Sequence, residues 1–232
     1  MEQTPISITY LSFLDVSNQE ILEEFIYPDM HKNYYWSDDF SAEYYVAQAK
    51  AGFIAVTEEF EEELFLIPEI QYTYALLDFK DLHVSKKVKR LLNQKEFELE
   101  IGQDLDEAYQ GINTSHKNSW LKKEYLETLD AVNILDNECQ VFSVLLKENG
   151  KTIAGELGYV IGKTYTSLTG FSSRKKEYRN YGTVQLVLLS DYLEAHGFAF
   201  MNLGQPYMDY KLALGAKVYE REDFLIRWFD AI

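Results

Sequence analysis

The clearest pattern of hydrophobic and polar positions lies in the C-terminal half of the chain. Residues 141–147 alternate with the period of two that a β-strand requires. Asn149-Gly150 follows, a pair that readily adopts the positive φ angles of a type I′ turn. Residues 152–161 then return as a second strand, and residues 164–171 form a third. The pattern predicts an antiparallel meander of three strands.

Segments outside this meander show either the spacing of an amphipathic helix or the short apolar run of a buried strand. The predicted helices are one from about residue 17 and those at residues 85–92, 105–112, 119–132, 181–196 and 207–214. The predicted strands are residues 6–10, 97–101, 198–203 and 224–229. From residue 96 the predicted order is β-α-α-β-β-β-α-β-α-β, which indicates a mixed α/β domain.

The segment from residue 41 to residue 67 contains local start and stop signals. Ser41 is a suitable N-cap for a helix, and Gly52 a suitable residue to end it. Residues 53–57 and 64–67 have the composition of two strands. The acidic stretch 58–63 between them predicts a hairpin turn.

Composition indicates a folded chain with an acidic surface. Of the 232 residues 47% are hydrophobic, and 14 Phe, 18 Tyr and 3 Trp supply bulk for a core, which excludes global disorder. The net charge of −16 counts against nucleic-acid binding, because phosphate binding usually needs a basic face. Two clusters of cations depart from this acidity, and each is either a solvated helix face or a binding surface. They are Lys86, Lys87, Lys89 and Arg90, and Arg174, Lys175, Lys176 and Arg179.

Several classes of protein and of site are not expected. The single cysteine, Cys139, cannot form an internal disulfide, and no cysteines and histidines have the spacing of a zinc site. The N-terminal segment lacks the basic and apolar regions of a signal peptide. No window approaches the ~18 apolar residues that cross a membrane. We therefore expect a cytoplasmic protein without a metal site.

Several short segments occur in a set order and together carry a resemblance to a known family. They are Phe40-Ser41-Ala42-Glu43, Ala51-Gly52-Phe53-Ile54, Leu82 to Arg90, Ser119-Trp120-Leu121, Gly204-Gln205 and Leu214-Gly215-Ala216. This ordered set resembles the bacterial leucyl/phenylalanyl-tRNA–protein transferases over nearly the whole chain. The order of elements is similar to that of the N-acetyltransferase (GNAT) superfamily. The resemblance implies an α/β (α+β) chain with a small N-terminal α/β domain, residues 1–82, and a GNAT-like transferase domain, residues 83–232.

The resemblance also implies a reaction and its partners. Those enzymes transfer leucine or phenylalanine from aminoacyl-tRNA to proteins that begin with Lys or Arg, which marks the proteins for degradation. The expected partners are therefore an aminoacyl-tRNA and a protein or peptide acceptor, with no DNA and no membrane. An aminoacyl ester is already activated, so the enzyme has chiefly to orient an amine and help remove its proton. No cofactor is expected.

The resemblance assigns roles to particular residues. Gln205, after the predicted strand 198–203, matches a glutamine that lies beside the reacting amine, and Asn202 is the polar residue nearest to it on the strand. The aminoacyl group is expected at Trp120, Glu156, Leu168, Gly170 and Phe171. The tRNA is expected at Lys86, Lys87, Lys89 and Arg90.

This chain departs from the family's pattern at several of these places. Leu203 stands where the family has the carboxylate that attracts the proton, and Leu168 where it has a glutamate. Glu156 and Gly170 lie near the positions of methionines that line the family's pocket, and a carboxylate in an apolar pocket is costly unless it is paired. The departures leave three interpretations: a different aminoacyl group, a different acceptor, or a loss of catalysis.

Two other functions are compatible with the same scaffold. Residues 179–184 partly fit the R-x-x-G-x-G/A loop that holds pyrophosphate in acyl-CoA-dependent N-acetyltransferases, with Val184 in the last position. Acetyl-CoA is expected only in that case. The loss of the family's carboxylates instead favours a non-catalytic binding protein.

Overall fold

A seven-stranded mixed sheet organises the residues that the computed structural model describes, 8–135 and 138–232. The elements in chain order are β1 (Thr9–Tyr10), α1 (Phe13–Ser17), α2 (Gln19–Ile21), β2 (Tyr35–Trp36), α3 (Ala42–Lys50), β3 (Ile54–Phe60), β4 (Glu63–Glu69), β5 (Thr73–Leu77), α4 (Lys86–Gln94), β6 (Glu98–Gly102), α5 (Asp106–Ser115), α6 (Lys123–Ile134), β7 (Cys139–Glu148), β8 (Lys151–Ile161), β9 (Thr164–Ser172), α7 (Tyr181–Ala195), β10 (Phe200–Asn202), α8 (Asp209–Ala213), β11 (Lys217–Glu220) and α9 (Arg221–Ala231). A π-helical turn covers Leu22–Ile26, and 3₁₀ turns cover Phe79–Asp81 and Lys176–Tyr178.

The strand order of the large sheet is β11-β5-β10-β9-β8-β7-β6. Only β9 and β10 are parallel neighbours in it, and the other described pairs are antiparallel. The predicted meander is confirmed as β7, β8 and β9. β3 and β4 form a separate hairpin, and β1 pairs with β2.

Strand β9 runs beyond the end of its parallel neighbour β10. β10 pairs only with residues 164–166 of β9, whereas β9 continues to Ser172. Leu168 is an extra residue in the pairing of β9 with β8, between the pairs formed by Ser167 and Thr169. Such a bulge bends a strand and increases its twist. The second half of β9 therefore has an open edge, and a gap forms in the sheet.

The alternation along β7 places side chains on both faces of the sheet, as successive residues of a strand must. Val141 and Leu145 belong to a core cluster that includes residues of α3, α5, α6 and α9. Val144 and Leu146 belong to a second cluster, which includes residues of α4 and α7. Helices cover both faces, and the predicted α/β class is confirmed.

Three local signals of the sequence act as predicted. The Ser41 side chain accepts a hydrogen bond from the Tyr44 backbone N–H at 3.2 Å and caps α3. Gly52 ends that helix with φ 87°. Asn149 and Gly150 join β7 to β8 with φ angles of 52° and 72°, the left-handed region in which both residues are tolerated.

Two predicted elements lie only partly where we expected them. The β3–β4 hairpin is confirmed with longer strands, and its turn consists only of Glu61 and Glu62, both at positive φ. The first helix begins at Phe13, before the predicted start near residue 17. Of the predicted strand 6–10, residues 6 and 7 lie outside the described residues.

The strand predicted at residues 224–229 is wrong, because this segment lies in helix α9. Phe224 and Trp228 are four residues apart on one helix face, and Phe224 stacks on Tyr74 with ring centroids 3.6 Å apart. A short run of apolar residues fits either a buried strand or a buried helix. The strand that was missed, β11, lies just before the helix and pairs with β5.

Helix α6 begins later than predicted, at Lys123 rather than at residue 119. Trp120 therefore lies in the loop that precedes the helix and is not part of its apolar stripe. The division at residues 82 and 83 stays a prediction. Strand β5, on the N-terminal side of that boundary, pairs with β10 and β11 from the C-terminal side.

Arg221, at the start of α9, is buried and fixes the N-terminal segment to the sheet. Its guanidinium donates hydrogen bonds to the carbonyl oxygens of Asp29 at 2.7 Å, Ile70 at 2.8 Å and Gln71 at 3.1 Å. Further bonds reach the carbonyls of residues 26, 27 and 32. One side chain thus satisfies backbone acceptors from segments about 150 to 195 positions away.

Among the described residues, no helix is long and apolar enough to cross a membrane. The same residues hold no group of three or more His, Cys, Asp or Glu side chains that suits a metal ion. Cys139 is buried, and burial raises the pKa of its thiol to about 12.

Candidate active site

The gap beside β9 opens into a cavity of about 740 Å³. Its walls come from β8, the second half of β9, the start of α7, α8 and the loop before α6. This volume falls in the range of small-molecule sites, ~300–1,000 Å³. All five residues that the resemblance assigned to the aminoacyl group line it: Trp120, Glu156, Leu168, Gly170 and Phe171.

Glu156 is a buried carboxylate at one end of the cavity. Burial raises its pKa, and the hydroxyl of Tyr165, which donates to Oε1 at 2.8 Å, opposes part of that effect. Glu156 pairs with Gly170 across the β8–β9 ladder. A Cβ atom at residue 170 would lie 2.9 Å from the Gly155 carbonyl and 3.0 Å from Cβ of Glu156. Gly170 is therefore needed for the two strands to approach here.

Lys211, on α8, is a buried lysine that lines the same cavity. Its Nζ donates hydrogen bonds to the carbonyl oxygens of Leu203 and Gln205, the latter at 2.7 Å. Burial lowers the pKa of Lys211 to about 8, and the Glu156 carboxylate opposes part of that shift. The lysine therefore loses its proton at lower pH than an exposed lysine does.

Gln185, in the first turns of α7, is a third buried polar side chain of this cavity. Its amide counteracts part of the effect of burial on the Glu156 pKa, so the amide faces that carboxylate. Its Nε2 nevertheless forms no hydrogen bond of normal geometry with any described residue. A buried N–H₂ group that is poorly paired is costly, which makes it a candidate for ligand binding.

The cavity also has an apolar lining. Its lining includes Trp120, Phe171, Leu186, Leu203 and Met208. The Trp120 ring contacts Tyr125 edge to face, with centroids 5.2 Å apart. Trp120 also lines an adjoining cavity of about 510 Å³ beside the start of α6.

Gln205 lies outside the lining of both cavities. Its Nε2 donates to Oε2 of Glu69 at 2.5 Å and to the hydroxyl of Tyr34 at 3.1 Å. Burial raises the pKa of Glu69, and the hydrogen bonds from Gln205, Tyr34 and Asn33 oppose that effect. The backbone carbonyl of Gln205 accepts a hydrogen bond from Lys211, which lines the cavity. This bond connects the pair of Gln205 and Glu69 to the cavity.

Asn202 is buried and holds the turn that precedes Gln205. Its Oδ1 accepts a hydrogen bond from the Gly204 backbone N–H at 2.9 Å. Gly204 has φ 69°, a conformation that favours glycine. The structure therefore places Asn202 near Gln205 but not in the lining of the cavity.

The two basic clusters lie in different places. Lys86, Lys87, Lys89 and Arg90 are exposed on α4, which packs on the core through Val88 and lines neither cavity. Arg174 lines the cavity and donates to the Ser115 carbonyl at 2.8 Å. Gly182 and Thr183, at the start of α7, line it as well.

Sequence reasoning missed Gln185, Lys211 and Glu69. Gln185 had a recognisable signal, because it falls among the apolar positions of the predicted helix 181–196. Lys211 and Glu69 had none, since exposed lysines on short helices and glutamates at strand ends are common. Their burial depends on contacts between distant segments.

Comparison with solved structures shows the fold. FemX matches with 12% identity and a TM-score of 0.51, over 94% of this chain and 81% of that one. The C-terminal domain of a lysylphosphatidylglycerol synthetase from Agrobacterium fabrum matches with 16% identity and a TM-score of 0.43. A GCN5-related N-acetyltransferase from Kribbella flavida matches with 10% identity and a TM-score of 0.41. The match to the Agrobacterium domain covers 71% of this chain and 51% of that one. The match to the Kribbella protein covers 79% of this chain and 63% of that one. The chain thus spans about half the length of the Agrobacterium domain.

No curated protein matches the chain significantly. The fold is α/β and GNAT-like, as the order of elements predicted. The model of the leucyl/phenylalanyl-tRNA protein transferase family matches residues 76–228, which include every element around the cavity. On this match over more than half of its length, the chain belongs to the leucyl/phenylalanyl-tRNA protein transferase family.

Proposed function

We propose that this protein is an aminoacyltransferase that moves an aminoacyl group from aminoacyl-tRNA to the N-terminal amine of a protein or peptide. One observation carries the proposal. The five residues expected around the aminoacyl group, from Trp120 to Phe171, line a single cavity, although they come from three separate segments. The family match over residues 76–228 supports the same chemistry.

The reaction needs little beyond positioning and one proton transfer. The amine nitrogen of the acceptor attacks the ester carbonyl, a C–N bond forms, and the C–O bond to the ribose breaks. The nitrogen loses one proton, and the released ribose oxygen gains one. The reaction therefore needs no external oxidant or reductant, and the protein has to hold a neutral amine against the ester.

Gln205 is suited to hold that amine. Both N–H bonds of its amide are used, toward Glu69 and Tyr34. Its Oε1 receives no hydrogen bond from any described residue and is free to accept one from the amine. We place the proton acceptor at Glu69, because burial raises the pKa of this carboxyl and makes its anion a better base. Asn202 acts by fixing the turn that carries Gln205.

The exposed face of α4 is the surface that we assign to the RNA. Lys86, Lys87, Lys89 and Arg90 form none of the ion pairs of the described residues, so their charges are open to phosphates. This surface contrasts with the net charge of −16. The protein acceptor is then left to approach from the side of Glu69 and Tyr34.

The test is transfer of labelled aminoacyl groups from total charged tRNA to a panel of N-terminal peptides, with labelled acetyl-CoA as a parallel donor. We expect transfer from tRNA that is abolished by ribonuclease and reduced at least ~100-fold by Gln205→Ala. Gln140→Ala, at an exposed position of β7, is the matched control. Silence with both donors, from protein with normal thermal unfolding, would reject catalysis and favour a binding protein.

One observation favours a second candidate, an acyl-CoA-dependent N-acetyltransferase. Gly182 and Thr183 line the cavity at the start of α7, and Arg174 lines it as well. The start of a helix attracts phosphate groups. Transfer from acetyl-CoA alone would establish this candidate in place of the first.

A further inference from the structure

The buried end of the cavity carries three polar side chains from three different elements. Glu156 comes from β8, Gln185 from α7 and Lys211 from α8, and each is more than nine-tenths buried. All three line the cavity. Burying polar groups is costly unless they are paired. We therefore expect a ligand group to form hydrogen bonds with these side chains.

Each of these groups keeps hydrogen-bonding capacity that the described residues do not use. Tyr165 donates to Oε1 of Glu156 at 2.8 Å, and the side chains of Gln185 and Ser167 also lower the pKa of this carboxyl and therefore face it. The Nε2 of Gln185 faces that carboxylate but forms no hydrogen bond of normal geometry with any described residue. Lys211 gives two of its three N–H bonds to backbone carbonyls. An acceptor and two donors therefore converge on one end of the cavity.

Glu156 and Lys211 are ionisable groups of opposite charge. Glu156 and Lys211 influence each other's pKa, but no direct ion pair joins these two described residues. A cationic ligand would be attracted by the carboxylate and repelled by the ammonium group. An anionic ligand would be attracted by the ammonium group and repelled by the carboxylate. A neutral group that both donates and accepts hydrogen bonds satisfies all three side chains. Hydroxyl and carboxamide groups have this property, whereas an apolar side chain would leave the three groups unpaired.

Given the proposed function, on which this inference rests, we infer that the transferred aminoacyl group has a neutral polar side chain, a hydroxyl or a carboxamide. Glu156, Gln185 and Lys211 recognise that side chain. The ester and the adenosine occupy the rest of the cavity, which Trp120 also lines. A site that forms hydrogen bonds with a polar group discriminates strongly against analogues that lack this group, because its buried polar side chains are then left unpaired. An apolar pocket discriminates less strongly against an analogue that carries an added polar group.

The experiment measures binding separately from transfer. Stable 3′-aminoacylamido-adenosines carrying Ser, Thr, Asn, Gln, Leu, Phe, Lys or Glu are titrated by calorimetry against the full chain. We expect one of the four neutral polar analogues to bind at least ~10-fold more tightly than the Leu and Phe analogues. We expect the Lys and Glu analogues to bind more weakly than that one. Preferred binding of the Leu, Phe, Lys or Glu analogue would overturn the inference.

The Gln185→Met variant tests the assignment, because Met has a similar shape and no N–H donor. We expect the preference for the polar analogue to fall to less than ~3-fold. Gln48→Met is the matched control, since Gln48 is also buried with an unpaired amide but lies on α3, outside the cavity. An unchanged preference in Gln185→Met, in protein that unfolds like the control, would contradict the role of Gln185 and reject the inference.

Transfer assays with the same set of charged tRNAs separate this inference from the proposed function. Selective binding of a polar analogue without transfer from any tRNA would reject the proposed function and keep the specificity. Transfer that is fastest for Leu or Phe would keep the function and overturn the specificity. If Glu156→Gln slows transfer equally for all aminoacyl groups and leaves their binding unchanged, Glu156 is a base, and the inference is wrong.

Discussion

The side-chain amide of Gln205 lies 2.5 Å from the carboxylate of Glu69, with Nε2 as the donor and Oε2 as the acceptor. The two residues are 136 positions apart, one after β10 and the other at the end of β4. Leu203 occupies the nearby position at which the family resemblance led us to look for a carboxylate. The fold thus places a buried carboxylate beside Gln205 from a different strand.

We expect Glu69→Gln to reduce transfer ~100-fold, because an amide cannot accept the amine proton. The wild-type enzyme should also lose activity as the pH falls through the pKa of Glu69, where the base becomes protonated. Burial raises that pKa, so the acid limb lies at higher pH than for an ordinary glutamate. The measurement is kcat/KM as a function of pH for both proteins, and the acid limb should disappear in the variant.

Glu63→Gln is the control for Glu69→Gln, since it makes the same change at an exposed position of β4. It should keep both the rate and the acid limb. If Glu69→Gln retains the wild-type profile, Glu69 is not the proton acceptor. A rise in KM alone would indicate that it only positions Gln205.

Glu156→Gln should stabilise the protein at neutral pH. Burial raises the pKa of Glu156 in the folded state, so its contribution to stability is present below the unfolded pKa and is lost as the pH rises through the folded pKa. Glutamine avoids that loss and keeps an acceptor for Tyr165. We expect Tm to rise by about 2–4 °C at pH 7.5, the shift that corresponds to ~1 kcal/mol at this size.

The gain in Tm from Glu156→Gln should shrink toward pH 4, where the wild-type carboxyl is protonated. Scanning calorimetry at both pH values measures it. Glu98→Gln, an exposed position on β6, removes the same charge without changing burial. A loss of stability in Glu156→Gln at pH 7.5 would show that the carboxylate is better compensated than its burial indicates.

Arg221→Met should lower the free energy of unfolding by on the order of 3 kcal/mol, because buried carbonyls of residues 26–32 and 70–71 lose a charged donor. Urea denaturation measures the change. Arg90→Met is the control, since this exposed side chain bonds only to Gln94 among the described residues. A loss of less than ~1 kcal/mol would mean that water replaces the guanidinium.

Local chemistry explains which parts of the fold could be predicted. The alternation of 141–147 and the Asn149-Gly150 turn specify the meander, because both act between neighbours in sequence. The segment 224–229 was predicted as a strand because a short apolar run does not distinguish a strand from a helix. In the fold this segment is a helix whose Phe224 stacks on Tyr74, a contact with a distant part of the chain.

The candidate site shows the same limit. The residues on β8 and β9 could be predicted, because adjacent strands of a meander bring them together. The neighbours Lys211 and Gln185 could not, since the packing of α7 and α8 over the gap beside β9 depends on the whole sheet. The pairing of Gln205 with Glu69 likewise depends on how the β3–β4 hairpin meets the C-terminal half.

The basic face of α4 gives the last prediction. The double variant Lys86→Gln/Lys89→Gln should weaken tRNA binding, because each lysine that contacts a phosphate releases condensed counterions. The slope of log K against log salt should become shallower by roughly 1.4–1.8. Fluorescence titration of labelled tRNA at several salt concentrations measures both quantities. Transfer from a short aminoacylated mimic that fills only the cavity should be unaffected.

Lys123→Gln/Lys217→Gln is the control for this double variant, because it removes the same charge from lysines that form ion pairs with Glu127 and Asp81. An equal loss of tRNA affinity in the control would show that binding responds to net charge alone. In that case α4 is not a specific surface. If only the α4 variant loses affinity and slope, the four cations of this helix form the RNA contact of an otherwise acidic protein.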